Sequence, residues 1–221
     1  EPGEAGHALL FSDNYAKVEP FDDMPSDELT FEAWLSTTDY CHPGTVMSYA
    51  VKPKPGAGKH ERTRDYNNFV VWDLNNIVAC HDFEYLTVDP DPKKISCRAQ
   101  FVDDTSTGQT ASFVDRTGEW HHLAVTFNAR ANGRIRIYKD GLKVAESETG
   151  RTAPIPPGGA FLLGAEQDCY GGCTDAHQGF YGYMDEVRLW RTERSQADIS
   201  KYMRDGSTFT AGHSDLVAYW K

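Results

Sequence analysis

A short acidic segment carries the oxygen atoms that calcium prefers as ligands. Glu166, Gln167, Asp168, Asp175 and Gln178 fall within thirteen residues. Calcium takes about six to eight oxygens from carboxylates, amides and carbonyls, whereas magnesium prefers few protein ligands in tight octahedral geometry. The segment therefore indicates a calcium site, and a solvated acidic turn is the alternative interpretation.

The same segment contains features that would fix its shape. Gly171 and Gly172 allow the chain to reverse sharply, and they lie between Cys169 and Cys173, which are spaced for a tight disulfide loop. A rigid loop lowers the entropy lost when ligands are ordered. Tyr170, inside the loop, is a candidate for stacking on a sugar ring, with core packing as the alternative.

Other constellations are poorly suited to catalysis. Adjacent residues of a strand point to opposite faces, so His121 and His122 do not chelate one metal together easily. The same argument separates Asp185 and Glu186, whereas a glycosidase needs two carboxylates that face each other at about 5–10 Å. We therefore predict that the chain is not an enzyme.

Cysteine usage points to an oxidising compartment, hence to an extracellular or cell-surface location. Beyond the loop pair, Cys80 and Cys97 are the second candidate disulfide, and Cys41 is either free or paired outside the chain. Five unrelated buried thiols are the alternative. A zinc site is disfavoured because no second cysteine pair matches the first.

Length and charge limit the remaining function classes. The chain has 221 residues and a net charge of −11, which argues against nucleic acid and anionic membrane surfaces as partners. No apolar run approaches the ~18 residues of a membrane span, so membrane insertion is not expected. We expect one domain over residues 1–221, excised from a larger extracellular protein.

The pattern of short apolar and alternating runs is typical of strands. Lys139-Asp140-Gly141 predicts a hairpin, and Arg194–Met203, with Ser195 as N-cap candidate, is the only predicted helix. Val51–Arg64 and Asp103–Gln109 are predicted to be loops. The fold class is therefore all-β, a two-sheet antiparallel jelly-roll sandwich with one short helix. The predicted strands are Ala8–Phe11, Leu29–Ser36, Thr45–Tyr49, Asn68–Leu74, Ile77–Cys80, Glu84–Leu86, Cys97–Phe101, Ala111–Phe113, His121–Asn128, Gly133–Lys139, Leu142–Glu146, Ala160–Ala165, Gly179–Trp190 and Leu216–Trp220.

Five segments, in this order, resemble the laminin-G-like branch of the concanavalin A-like lectin/glucanase superfamily. They cover nearly the whole chain and are Leu29–Leu35, Gly118–Phe127, Gly133–Lys143, Gly182–Trp190 and Leu216–Trp220. The resemblance implies the same sandwich fold.

A narrower resemblance, to the calcium loop of the pentraxins, begins at Leu163-Gly164-Ala165-Glu166-Gln167-Asp168. It implies that this Glu-Gln-Asp triplet supplies carboxylates and a backbone carbonyl to two neighbouring calcium ions. Asp175 and Gln178 would complete the second ion, although Asp175 is shorter than the Glu usual in that family.

The segment that ends in Trp72 resembles the part of the pentraxins that supplies the remaining ligands. It implies Asp65 as a ligand. Tyr66 stands where the family has Asn, so either Asn67 substitutes or that ligand is absent. Whether one or two ions bind stays open. The pentraxin core disulfide would link positions matching Ala33 and Ala124, so this chain lacks it, and a pentameric ring is unsupported.

The predicted function is calcium-dependent recognition of a carbohydrate or an anionic ligand by a cell-surface or secreted adhesion protein. A calcium ion with open coordination positions would accept hydroxyl, phosphate or carboxylate oxygens, and Tyr170 and Tyr66 would contact a sugar. One alternative is a protein–protein interaction domain with purely structural calcium. The other is a glycoside hydrolase. The ligand and the oligomeric state are not determined by the sequence.

Overall fold

Thirteen strands make up most of the described part of the chain. A computed structural model describes residues 7–38, 44–66, 68–72, 78–81, 100–101, 118–148, 150, 152–204 and 213–221. The strands are β1 (Leu9–Phe11), β2 (Ala16–Phe21), β3 (Glu28–Thr37), β4 (Met47–Ala50), β5 (Phe69–Trp72), β6 (Val78–His81), β7 (Gln100–Phe101), β8 (His121–Asn128), β9 (Arg134–Lys139), β10 (Leu142–Glu148), β11 (Gly159–Leu163), β12 (Gly182–Trp190) and β13 (Leu216–Trp220). The helices are α1 (Lys59–Tyr66) and α2 (Gln196–Tyr202), with 3-10 turns at Ala129–Ala131 and Ala176–Gln178.

The strands form two antiparallel sheets that pack face to face. The larger sheet runs β1-β12-β3-β8-β9-β10-β7, with β13 also beside β12, and the smaller runs β2-β11-β4-β5-β6. Alternate residues such as Phe31 and Leu35 of β3, and Phe161 and Leu163 of β11, fill the core between the sheets. This period-2 burial is what the sequence alternation predicted, and the all-β sandwich is confirmed.

The predicted hairpin joins β9 to β10. Lys139 pairs with Leu142, and the two turn residues both have positive φ, 50° at Asp140 and 80° at Gly141. Such a two-residue turn matches the twist of the flanking strands.

Helix α2 lies where the sequence predicted a helix. Ser195 is its N-cap, and the Ser195 Oγ accepts a hydrogen bond from the Asp198 N at 3.1 Å. Ile199 is its buried contact with the larger sheet, packing against Ala124 and Tyr138.

Helix α1 occupies part of the segment that was predicted to be a loop. Its sequence is polar except for Tyr66, so it lacks the apolar stripe that identifies most surface helices. Lys, Glu and Arg nevertheless have good helix propensity. The helix is tied to the end of β4, because the Val51 N donates to the Asp65 O at 2.7 Å.

Strand β2 was also missed by the sequence analysis. It is mostly exposed and contains Pro20, and proline is tolerated in a sheet chiefly on edge strands. β2 lies at the edge of the smaller sheet, next to β11.

The register between β3 and β8 corrects the residue pair inferred for the missing core disulfide. Ala124 pairs with Glu32, and Ala33 pairs with Leu123. Ala33 faces the core, whereas Ala124 packs under α2 on the opposite face. Pairing Ala33 with Ala124 was therefore wrong, and the facing pair is Glu32 and Ala124.

Several predictions fall outside the described residues or are untested. The predicted strands Glu84–Leu86 and Ala111–Phe113 lie outside the described ranges, as do Cys41 and Cys97, and the side chain of Cys80 is not described. The single domain over 1–221 stays a prediction. Within the described ranges, no helix has the length and apolar character needed to cross a bilayer.

Candidate metal centre

The candidate calcium loop leaves the smaller sheet at the end of β11 and returns across that sheet's outer face. Gly164 makes the exit with a φ of 87°, and its N donates to the Val46 O at 3.0 Å. A Cβ at Gly164 would lie 2.3 Å from the Phe11 Cδ1, so glycine is required there for both conformation and space.

Gln167 fastens the loop to the sheet beneath it. Its side chain is fully buried, and its Nε2 donates at 3.1 Å both to the Ser48 Oγ and to the Ala160 O. Its Oε1 accepts from the Gly171 N at 3.0 Å. Since both N–H groups of the amide and one lone pair of its Oε1 are used, the main-chain carbonyl oxygen of Gln167 is the better candidate for a metal ligand.

The predicted disulfide closes the loop. Cys169 and Cys173 are bonded, with their Cα atoms 5.3 Å apart. Within the loop, the Cys169 N donates to the Gly172 O at 3.3 Å, and the Gly172 N donates to the Cys169 O at 3.2 Å. The Lys17 Nζ of β2 also donates to the Gly171 O at 3.2 Å, which joins the loop to the sheet edge.

The three loop carboxylates differ in exposure. Glu166 is buried at 6% exposure, whereas Asp168 and Asp175 are exposed. The Asp175 Oδ1 accepts from the His177 N at 2.9 Å and so caps the 3-10 turn Ala176–Gln178. Its second oxygen remains a possible ligand atom.

Gln178 has a side-chain oxygen that no described residue satisfies. Its main-chain O accepts from the Thr45 N at 2.9 Å, which fixes the residue beside the smaller sheet. Its Oε1 is buried and has no hydrogen-bond partner within the described residues. A buried oxygen left in this way costs about 1–3 kcal/mol, and a hard cation is a ligand that would compensate it.

Asn68 is a second such oxygen, and the sequence analysis did not select it. The residue is 6% exposed, immediately precedes β5, and has an Oδ1 without a hydrogen bond inside the described ranges. Phe69 and Val71 face the core, so strand alternation directs Asn68 to the outer face. The available signal was its position directly before the strand.

Strand register brings Asn68 to the part of the sheet that the loop covers. Tyr49 pairs with Phe69 and Ala50 with Ala160, so Asn68 lies level with Ala160, where Gln167 is anchored. Asp65, half-buried in the last turn of α1, is tied to Val51 at the same end of β4. Tyr66 follows Asp65 and is half-buried, and Asn67 lies outside the described residues.

The predicted carboxylates do not converge on one point. No group of three or more His, Cys, Asp or Glu side chains in the described part of the chain is arranged to hold a metal. A calcium ion at this loop would therefore depend on amide and carbonyl oxygens beside Glu166 and Asp168. The donor chemistry fits calcium, which accepts mixed oxygen ligands.

Tyr170 takes part in holding the loop. Its hydroxyl donates to the Gly158 O at 3.2 Å, and its ring packs against the outer-face residues Ala160 and Leu162. Desolvation by burial raises the pKa of Tyr170. The predicted contact with a sugar would therefore use the part of the ring that stays exposed.

The histidines and the acidic pair that were considered for metal binding or catalysis lie on the larger sheet. His122 is buried, and the His121 Nδ1 is hydrogen-bonded to the Asp140 Oδ2 at 2.9 Å, with the carboxylate as acceptor. Met184 and Val187 both face the core, because the strand is irregular between Asp185 and Arg188, so the simple alternation predicted for Asp185 and Glu186 was wrong. Glu186 is buried and hydrogen-bonded to Arg188 and Tyr219. A buried carboxylate engaged in this way is not placed to act on a substrate in a groove.

Comparison with known proteins identifies the family. Residues 11–200 match a laminin G model of the Concanavalin A-like lectin/glucanases superfamily. Human neuronal pentraxin-2 is 41% identical over 85 residues, which are 38% of this chain and 20% of that protein. Rat sushi, von Willebrand factor type A, EGF and pentraxin domain-containing protein 1 is 30% identical over 164 residues, 73% of this chain and 4% of that protein.

A solved structure shows the same fold. The native heptameric SAP-like pentraxin from Limulus polyphemus superposes with a TM-score of 0.62 at 15% identity, covering 99% of this chain and 88% of that one. The chain spans about a fifth or less of the curated relatives it matches. From the matched residues and the shared sandwich, the chain belongs to the concanavalin A-like lectin/glucanase superfamily.

Proposed function

We propose that this domain recognises a carbohydrate or an anionic group through calcium held at the loop that follows β11, within a secreted or cell-surface adhesion protein. The observation that carries the proposal is the buried Gln178 Oε1, which lacks a hydrogen bond in the described part of the chain and lies in a loop fastened by Gln167 and a disulfide. The disulfide also supports an oxidising compartment.

The proposed ligands combine the loop with the segment before β5. Glu166, Asp168 and Asp175 would supply carboxylate oxygens, Gln167 its carbonyl, and Gln178 its amide oxygen. Asp65 and Asn67 are the proposed ligands from the other segment, and the buried Asn68 Oδ1 joins them as a candidate. One ion or two fit this set.

Bound calcium would supply open coordination positions that accept ligand oxygens in place of water. Vicinal hydroxyls of a sugar, a phosphate or a carboxylate all offer such oxygens. Around those positions, the chain itself contributes the exposed part of the Tyr170 ring, with Tyr66 as the second candidate contact.

A second candidate function is docking of a protein surface, with calcium in a structural role. It is favoured by Leu10 and Tyr183, which pair across β1 and β12 and are 52% and 40% exposed. Large apolar side chains exposed side by side are typical of protein contacts. This surface lies on the sheet opposite the loop.

The first experiment is calcium titration calorimetry with thermal unfolding of EDTA-treated protein. We expect calcium to bind and to raise the melting temperature, because a ligand that binds only the folded state stabilises it. The double variant Glu166→Gln and Asp168→Asn should lose both effects, whereas Glu148→Gln, a change at an exposed acidic residue of β10 in the larger sheet, should keep them. Absence of both calcium heat and a melting shift in the unmodified protein would refute the proposal.

The ligand class is tested on a glycan array probed in calcium and in EDTA, with phosphoethanolamine and free mannose as competitors. Calcium-dependent binding that either competitor reduces supports recognition at the ion. Calcium binding without any glycan or phosphate competition would favour the protein-docking function.

A further inference from the structure

A second polar cluster is buried on the opposite side of the molecule, beneath α2. Its five ionisable members lie on the outer face of the larger sheet or in the segment before α2, and none is more than 7% exposed. They are Glu32 of β3, His122 of β8, Glu186 and Arg188 of β12, and Arg194. Buried charges of this kind persist only when they are paired.

The carboxylates and guanidinium groups of the cluster are paired with each other. The Arg188 Nη2 donates to the Glu186 carboxylate, which also accepts from the Tyr219 hydroxyl. The Arg188 Nη1 lies 3.6 Å from the Glu32 Oε1, and that oxygen accepts from the Trp190 Nε1 at 2.8 Å. The Arg194 guanidinium lies 4.0 Å from the centre of the Trp190 ring.

Helix α2 is attached to this cluster at its C-terminal end. The Arg188 Nη1 donates to the Tyr202 O at 3.3 Å, and the Trp34 Nε1 donates to the Met203 O at 2.7 Å. In addition, Ile199 packs against the sheet, and the Ser200 Oγ donates to the Gly141 O at 2.7 Å. These contacts join the C-terminal end of the helix and Met203 to the larger sheet beside the cluster.

The carboxylates near His122 are already engaged with other groups. Its side chain is 1% exposed, its Nε2 lies 3.6 Å from the Glu32 Oε2, and neither ring nitrogen has a hydrogen bond among the described residues. The charged groups that face it are Glu32 from β3, Arg188 from β12, Asp140 from the β9–β10 turn and Arg194 from the segment before α2. Glu32 and Glu186 balance the two arginines, and the Asp140 carboxylate is already engaged with the His121 Nδ1 and the His122 main-chain N.

Burial therefore disfavours the protonated imidazole. Desolvation, the largest cause, lowers the pKa of His122 from 6.5 to about 4, and the nearby Glu32 opposes this only in part. The Trp34 ring lies 5.4 Å from the His122 ring, centre to centre, and its Nε1 is bonded to the Met203 O at the end of α2. Release of the helix would therefore loosen the packing around His122 and let its pKa rise towards the ordinary value.

We propose that α2 is an acid-released latch, in which protonation of His122 detaches the helix from the larger sheet while the sandwich stays folded. The direction of the pH effect on the helix follows from the lowered pKa of His122. The closed state binds the proton more weakly than the open state, so closure is fully stable above pH 6.5 and weakens as the pH falls towards 4. Between about pH 7.5 and 5, the ratio of open to closed helix should rise roughly thirtyfold.

Hydrogen exchange measured by mass spectrometry tests the latch on the EDTA-treated chain. Peptides that cover α2 should show a roughly thirtyfold larger opening constant at pH 5 than at pH 7.5, after correction for intrinsic exchange rates. Peptides from β4 and β11 should keep their protection. The variant His122→Gln should abolish the pH dependence, and His177→Gln, a change at an exposed histidine, should leave it intact.

Two results would overturn the latch. One is an unchanged opening constant for α2 across this pH range, or a rise that persists in His122→Gln. The other is joint loss of protection in α2, β4 and β11, since that would be global unfolding. If His122→Gln does not fold, NMR of the His122 imidazole in the unmodified chain decides, because an ordinary titration near pH 6.5 with α2 closed contradicts the proposal.

Discussion

Two glutamines in one loop have opposite environments. Gln167 forms three hydrogen bonds through its buried amide, while the Gln178 Oε1 is buried and forms none with the described residues. The first side chain contributes to folding without a metal. Burial of the second side chain lowers the free energy of unfolding until a cation or a hydrogen-bond donor binds its oxygen.

Substituting leucine for each glutamine should therefore give opposite results in EDTA. Gln167→Leu leaves the Ser48, Ala160 and Gly171 groups without their partners and should lower the free energy of unfolding by about 2–4 kcal/mol. Gln178→Leu should leave it unchanged or raise it by up to about 1 kcal/mol. Urea unfolding followed by tryptophan fluorescence measures both.

Calcium affinity is the second property in which the two glutamine variants can be compared. We expect Gln178→Leu to weaken calcium binding by about tenfold or more while the fold is kept, because it deletes a ligand oxygen. If Gln178→Leu destabilises the EDTA form as strongly as Gln167→Leu does, the oxygen has a partner in solution, and its role as a ligand is contradicted.

At this scale the sequence located the loop and the resemblance implied different roles for its residues, but neither indicated which side chains would be buried or hydrogen-bonded. The acidic and amide residues around Gly171 indicated calcium chemistry, and the Cys169–Cys173 disulfide was predicted and is present. Nothing in the order of residues separates Gln167 from Gln178, since their environments depend on Ser48 and Thr45, more than a hundred residues earlier. Asn68 was missed because its burial depends on sheet register.

The turn of the β9–β10 hairpin packs closely against α2 at Gly141. Gly141 has a φ of 80°, and a Cβ there would lie 2.7 Å from the Ser200 Oγ and 3.0 Å from the Ser200 Cα. The hairpin turn and the helix therefore lie too close together to admit a Cβ at position 141 without a shift.

Gly141→Ala should destabilise the fold more than Gly118→Ala. Both positions have a φ near 80°, but an added Cβ at Gly118 would meet no atom of the described residues within 4 Å. The control thus carries the cost of the backbone conformation alone, about 1–2 kcal/mol, and Gly141→Ala adds the clash with Ser200. Equal midpoints of urea unfolding for the two variants would show that α2 yields to the added methyl group.

The N-cap of α2 supports a further prediction. Ser195→Ala removes the hydrogen bond from the Asp198 N to the Ser195 Oγ and should cost about 1 kcal/mol. Ser26→Ala, at an exposed loop position, serves as control. Hydrogen exchange should show the loss mainly in α2, and an equal loss throughout the strands would contradict a local capping role.

Elements with a clear period were predictable, and those without one were not. β3, β8 and β9 alternate strongly, and their bounds agree with the sequence within a residue or so. α1 lacks an apolar stripe, and β2 is an exposed edge strand with a proline. Both are stabilised by neighbours far along the chain, which a local pattern does not reveal.

The charge of the whole molecule predicts a response to salt. With 33 acidic against 22 basic residues, the folded chain repels itself more than the extended chain does. Raising NaCl from about 10 to 150 mM in EDTA shortens the Debye length from about 30 to 8 Å. We expect the melting temperature to rise by about 2–4 °C. A fall in the melting temperature would show that the surface ion pairs stabilise the fold by more than the net charge repulsion destabilises it.

The arrangement of β1 and β13 has a consequence for chain connectivity. Both pair with the same edge of β12, where Trp220 faces Val187 and Leu9 faces Met184. They run in the same direction, and three residues of β12, or about 10 Å, separate those contacts. A circular permutant that fuses Lys221 directly to Ala8, with new ends between the exposed residues Thr152 and Ala153, leaves three steps from Trp220 to Leu9 and should therefore fold with β13 and β1 as one continuous strand.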